Sequence, residues 1–221
     1  MTQSKLVQKP RLTRVALVAA ALHIADTEGL GAVSMRRLGG ELGVDATAAY
    51  RHLPNKKALL AGIVESVLDN ADVKTDPTAP WQEQFRSVAR AYRRAMLAHS
   101  PEVARLVATT PLSSLASLRI VEHGAVVLIA GGIPFAESAL AIQAVGQIAS
   151  GSVLLEAFWR EHAEAGGEVY LFPPLLPHPD LPALSSIAMA DGFRGSEDVF
   201  EFGLAAIVKY LETLITQRSG Q

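Results

Sequence analysis

The glycine, aspartate, proline and asparagine between positions 43 and 55 constrain this chain more than any other residues, because they stop and restart a helix twice within SMRRLGGELGVDATAAYRHLPNKKALL (residues 34–60). Ser34 can cap a helix in which Met35, Leu38 and Leu42 recur at helical spacing, and Gly43 suits the left-handed residue that ends it. Val44 supplies an apolar residue for the turn and Asp45 a second N-cap. Residues 46–52 then form one short helix, closed by Pro54, since proline cannot continue a helix internally. Asn55 caps a third start, followed by Lys56, Lys57 and a periodic run through Ile63, Val67 and Leu68. The spacing predicts a helix-turn-helix.

A helix that enters a DNA groove must be small where it faces the duplex and must carry side chains that reach phosphates and base edges. Ala46, Thr47, Ala48 and Ala49 meet the first need, and Tyr50, Arg51, His52, Lys56 and Lys57 the second. Tyr50, His52 and Lys56 read as backbone contacts, which position a protein without specifying sequence. Arg36 and Arg37 extend the same basic surface. The competing reading is a solvated charged face on an ordinary helical hairpin, and the charge distribution argues against it. Residues 1–57 hold nine Lys or Arg against four Asp or Glu, a balance of +5, and the remainder holds eleven against eighteen, or −7. A basic head on an acidic body suits a chain of which one end meets phosphate.

With 221 residues, 49% of them hydrophobic and 19% charged, the chain can build one small and one larger domain. The first helix is expected over 13–28, capped by Thr13 and ended by Gly29, with Val15, Val18, Leu22 and Ala25 as its buried stripe. Two prolines within 74–80 mark a hinge between a head, 1–73, and a body, 81–221. In the body, helices are expected over 81–99, 102–108, 113–129, 135–162, 181–190 and 197–217, with a proline- and glycine-rich loop over 164–182. Trp81, Phe85, Val88, Tyr92 and Met96 share one face of the first of these. The fold class is all-α: an N-terminal three-helix DNA-binding domain and a larger helical ligand-binding and dimerisation domain. Small residues along 135–162, and Phe200, Leu204, Ile207, Leu211 and Leu214 along 197–217, make these two helices the expected interface of a homodimer, paired with their copies as a four-helix bundle. Dimers of such heads read two half-sites, whereas single heads bind weakly.

Several classes find no support. No apolar run reaches the roughly 18 residues of a membrane helix, and the N-terminus lacks signal-peptide order. Zero cysteines exclude disulfides and thiolate chemistry. Six histidines lack metal-ligand spacing, so no metal and no cofactor is expected. Glu156 or Glu161-His162 could be imagined as a base, but no nucleophile elbow, phosphate loop or paired carboxylates accompany them. Gly39-Gly40 either lets the two head helices pack closely or loosens the head. Localisation is expected to be cytoplasmic, without a membrane partner.

LGVDATAAYRHLPNKKALL, preceded by ALHIADTEGLGAVSMRRL, resembles the DNA-binding region of the tetracycline-repressor (TetR) family, and VFEFGLAAIVKYLETLI looks like the closing helix of its tetracycline-repressor subgroup. The resemblance runs nearly the whole length, strongly in the head and weakly in the body. It implies phosphate contacts at Tyr50, His52 and Lys56, and base contacts at Ala46, Thr47, Ala48 and Arg36. In tetracycline-binding members a histidine, an arginine and a glutamate hold the drug and its metal. The positions similar to these carry Leu106, Thr110 and Leu155 here, which speaks against magnesium-tetracycline. What remains is a mainly apolar ligand site, expected at Phe85, Tyr92, Met96, Leu106, Thr109, Leu112, Gln143, Gln147 and Phe158, residues whose other reading is core packing.

Two functions follow. One is a ligand-responsive repressor that leaves a palindromic double-stranded DNA operator when a small-molecule effector shifts its conformational equilibrium. The alternative is a helical enzyme or scaffold with an incidental basic head, for which the sequence offers no catalytic constellation.

Overall fold

The structure, a computed structural model, describes residues 12–164, 176–190 and 195–219; most of the 164–182 loop therefore lies outside the described residues, as do Lys5, Lys9 and Arg11 of the basic head. The described residues form ten helices: α1 (Arg14–Glu28), α2 (Met35–Leu42), α3 (Ala46–Tyr50), α4 (Lys56–Asp69), α5 (Trp81–Leu97), α6 (Pro101–Thr109), α7 (Leu115–Ala130), α8 (Phe135–Glu164), α9 (Pro182–Met189) and α10 (Ser196–Ser219). No strand occurs among the described residues. Two compact units divide inside α4, one ending at Ser66 and the other beginning at Val67.

Local capping accounts for most helix starts. Thr13 accepts the Ala16 N–H at 3.1 Å, and Ser34 accepts that of Arg37 at 3.1 Å. Ser100 receives the Val103 N–H at 3.4 Å, with Pro101 in the first turn, where a missing N–H costs nothing. Ser114 and Ser117 close a reciprocal capping box on α7.

In the head, α1 buries Leu17, Val18, Ala21, Ile24 and Ala25. This corrects the expected stripe: Val15 is 78% exposed and Leu22 only half-buried. The phase is set by α4, where a side chain at Gly62 would put its Cβ 2.7 Å from Val18 Cγ2 and where Glu65 receives Arg14 at 2.7 Å. That contact selects the face through Arg14 and Val18, and Val15 points away from it. Leu38, Ala49, Leu53, Leu59 and Ile63 complete the head core.

In the body, α5, α7, α8 and α10 share one core, which includes Phe85, Leu128, Ile133, Val145, Ala149, Phe200, Leu204, Val208 and Leu211. The expected seam on the last helix is thus an intrachain one: Phe200, Leu204 and Leu211 pack inside their own chain, with Ile207 half-buried beside them. The large apolar residues that α10 leaves exposed are Val199, Phe202 and Tyr210, on a different face. Buried Arg93 ties the core together. Its guanidinium donates to Ser152 (3.1 Å) on α8 and Ser196 (3.4 Å) on α10, lies 3.7 Å from Glu156 and sits 5.6 Å from the Phe200 ring centroid. The Ser196 hydroxyl donates in turn to Glu156.

By length and composition α8 could cross a bilayer, with mean hydropathy 1.4 over its most apolar window, although Ser, Gln and Glu interrupt it. It packs against α5, α6, α7 and α10, as the central helix of a body does.

Candidate nucleic-acid interface and body cavity

The turn between α2 and α3 is built by backbone geometry. Gly43 adopts the left-handed conformation (φ 64°, ψ 34°), and the Val44 N–H reaches the Gly39 carbonyl at 2.9 Å, a closure that satisfies the end of α2. Gly39 is buried because a Cβ there would lie 2.7 Å from the Val44 carbonyl oxygen and 3.3 Å from the Ala46 nitrogen. One of the two adjacent glycines is therefore required for close packing, while Gly40 faces open space. Asp45 accepts the Thr47 N–H at 2.7 Å, and hydrogen bonds from the Thr47 side chain and N–H hold its carboxyl below the usual value. Asn55 accepts the Ala58 N–H at 2.8 Å and starts α4.

α3 is shorter than the expected 46–52 helix, ending at Tyr50, with Arg51 and His52 in the turn that follows. Arg36, Thr47, Tyr50, Arg51, His52 and Lys56 are exposed, and Ala46 and Ala48 half-buried. Ala49 is fully buried, so its small size serves the head core rather than an outer face. Arg37 is corrected too. It donates to Glu28 at 2.5 Å and 3.1 Å and to Glu41 at 2.8 Å, which brace α1 against α2 and hold the Glu28 carboxyl below its usual value. Glu28, Glu41 and Glu65 are thus occupied by Arg37 and Arg14. Arg36, Arg51, Lys56 and Lys57 have no acidic partner among the described residues, leaving their charge free for an outside anion.

The body holds a cavity of about 260 Å³ between α5, α7 and α8. α5 contributes Phe85, Val88, Ala89 and Tyr92, the segment before α7 Leu112, α7 Ile120, Val121 and Gly124, and α8 Ile142, Gln143, Val145 and Gly146. The Tyr92 hydroxyl lies 3.4 Å from Ser150 Oγ, and Gln143 is exposed. Of the nine expected ligand residues, Phe85, Tyr92, Leu112 and Gln143 meet here. The other five lie outside the cavity lining, Leu106 and Thr109 because α6 does not wall it and the rest because they sit further along α5 and α8. Met96 is fully buried one turn further along α5, and Leu106 and Thr109 belong to α6, where Thr109 Oγ1 donates to the Arg105 carbonyl at 2.8 Å. Gln147 is exposed one turn beyond Gln143, and Phe158 sits near the far end of α8 with its ring centroid 3.9 Å from that of His162. The missed α5 residue Val88 shares the helical face of Phe85 and Tyr92 and was legible; the α7 wall had no local signal.

Thr110 donates to the Leu106 carbonyl at 2.6 Å, and Leu155 lines a separate apolar hollow of about 250 Å³ with Ile148, Trp159 and Val199. Among the described residues no group of three His, Cys, Asp or Glu could hold a metal.

A capped helix-turn-helix whose outer cations have no acidic partner among the described residues, together with a helical body that holds an apolar cavity, defines the class of helix-turn-helix transcriptional regulators. Residues 75–215 match the tetracyclin repressor-like C-terminal domain, and residues 17–63 match the tetR family of bacterial regulatory proteins. An HTH-type transcriptional regulator of Saccharopolyspora erythraea is 32% identical over 185 residues, covering 83% of this chain and 78% of that one. The structure of the TetR family protein ActR of Streptomyces coelicolor in complex with actinorhodin superposes with a TM-score of 0.77 at 28% identity, covering 91% and 96% of the two chains. BioQ with its double-stranded DNA operator gives 0.58 at 29% identity, covering 68% and 89%. The chain belongs to the TetR family of bacterial transcriptional regulators.

Proposed function

We propose that this protein is a ligand-responsive repressor that occupies a palindromic operator through its head and leaves it when an apolar effector other than magnesium-tetracycline fills the body cavity. The carrying observation is a set of cations without an acidic partner among the described residues, Arg36, Arg51 and Lys56, around a short helix whose start is fixed by Asp45. Tyr50, His52 and Lys56 serve the phosphates, and Arg36, Ala46, Thr47 and Ala48 the bases, with residues 1–73 as the DNA-binding region and 81–221 as the ligand-binding and dimerisation region. The relatives point the same way: ActR is bound to actinorhodin and BioQ to operator DNA. An effector releases the operator only if it binds the DNA-incompetent state more tightly, and by that difference alone.

The chain acts as a cytoplasmic homodimer through α8 and α10, without enzymatic activity and without a membrane partner. The exposed apolar residues Phe135 and Leu140 on α8, and Val199, Phe202 and Tyr210 on α10, supply the surface for the second copy. An electrophoretic mobility shift with the DNA upstream of the chain's own gene tests the reading. Binding should require both half-sites and weaken steeply with salt; binding indifferent to palindrome and salt would sink it.

A further inference from the structure

We infer that the body cavity selects an uncharged molecule of about two fused rings, with its polar group toward Gln143, and that Gly146 is the residue that leaves room for it. This rests on the effector reading above and narrows it. The twelve lining residues include no charged side chain. Arg93, the buried cation of α5, is turned to Ser152, Ser196 and the Phe200 ring, so it cannot serve as a counter-ion in the cavity. An ionised ligand would give up its water here without a compensating charge, a penalty that a neutral one of the same shape avoids. Gln143 is the one lining side chain with both an amide donor and an acceptor.

Size follows from volume. An apolar cavity of about 150 Å³ takes a single benzene ring, and the one here is about 260 Å³, with Phe85 and Tyr92 on one face of α5 to offer aromatic contacts. Two glycines line the walls, and they differ. A Cβ at Gly124 would already rest 3.6 Å from Phe85 Cε2, whereas one at Gly146 meets nothing within 4 Å. A longer side chain at 146 would therefore start from a lining position with free space around its Cβ.

Isothermal titration of the full chain with 2-naphthamide and 2-naphthoate, which share a shape and differ in charge, tests this directly. The amide should bind at least about tenfold more tightly than the carboxylate, because only the latter buries an unpaired charge. Gly146→Leu should weaken the amide by about tenfold or more through steric filling. Gln143→Leu, at an exposed position that does not endanger the fold, should weaken the amide several-fold and leave unsubstituted naphthalene unaffected. Equal or tighter binding of the carboxylate overturns the inference, as does no binding of either probe or a Gly146→Leu variant that binds like the parent. The operator shift is a separate readout. Naphthamide binding that is lost in Gly146→Leu yet never releases operator would support the cavity assignment and overturn the effector reading instead.

Discussion

Gly39 and Gly40 are neighbours in α2, and replacing each with alanine should have opposite effects. Either change restricts the unfolded chain and improves helix propensity, a gain of about 0.4–1 kcal/mol. At Gly40 nothing lies within 4 Å of the new Cβ, so that gain is kept. At Gly39 the Cβ would sit 2.7 Å from the Val44 carbonyl oxygen and 3.3 Å from the Ala46 nitrogen, both backbone atoms of the turn. Ordinary carbon–oxygen contacts lie near 3.3 Å or beyond, so the turn must open by roughly half an ångström against the 2.9 Å Val44–Gly39 hydrogen bond. Overpacking of this kind costs about 1–3 kcal/mol, which outweighs the gain. The two variants should therefore differ by about 2 kcal/mol, more than tenfold in a local opening equilibrium. Amide hydrogen exchange in the full chain reads this at the Val44, Ala48 and Leu53 N–H groups, all hydrogen-bonded around the turn. Protection should rise a few-fold in Gly40→Ala and fall about tenfold or more in Gly39→Ala, with operator affinity falling in the latter. Protection in Gly39→Ala equal to or above that in Gly40→Ala would refute the close-approach account.

Lys56→Ala should weaken binding to specific and nonspecific DNA alike and flatten the log–log salt dependence by about 0.9, whereas Thr47 or Arg36 variants should change which operator is preferred; a Lys56→Ala variant altered only in preference would reverse the assigned roles. Leu17→Ala should cost about 2–5 kcal/mol in thermal or denaturant unfolding, and Val15→Lys at its exposed position less than about 0.5; similar losses would restore the original α1 stripe. Glu201 receives both ends of the Arg90 guanidinium at 2.7 Å, and those hydrogen bonds hold its carboxyl below the usual value of 4.5. A lowered value in the folded state means the pair stabilises above about pH 4.5 and fades as the pH falls through the lowered value. Because both partners are partly exposed, the effect should stay under about 1 kcal/mol, and Glu201→Gln should flatten the acid limb of a stability profile by that amount. Phe202→Lys should raise the dimer dissociation constant in sedimentation equilibrium, and an unchanged constant would move the interface off α10.

The head was legible because its instructions are local. Ser34, Gly43, Asp45 and Asn55 each act on atoms within a few residues, and each does in the structure what its residue type dictates. Arg37 has one partner that helical spacing offers, Glu41 four residues on, and one that it does not, Glu28 nine residues back across a helix junction. The buried face of α1 was misphased for a related reason, whereas on α10 Phe200, Leu204 and Leu211 are buried as their spacing implies, against helices of their own chain. Both helices carry apolar residues on more than one side, so only the packing partner decides what each side meets. The cavity was half legible: the Phe85–Tyr92 face of α5 follows from spacing, but whether α6 or α7 closes it is settled by the meeting of distant helices.

The walls of that cavity are held in different ways. Behind α5, Arg93 is pinned to α8 and α10 by hydroxyl hydrogen bonds and an aromatic face, so this side resists displacement. α7 meets the cavity through Ile120, Val121 and Gly124, none of which carries a side-chain hydrogen-bonding group. The residue beside Ile120 in that helix is Arg119, which grips Asp69 at the end of α4 at 2.7 Å. One wall of the cavity and an ion pair to the end of α4 thus lie on adjacent residues of one helix.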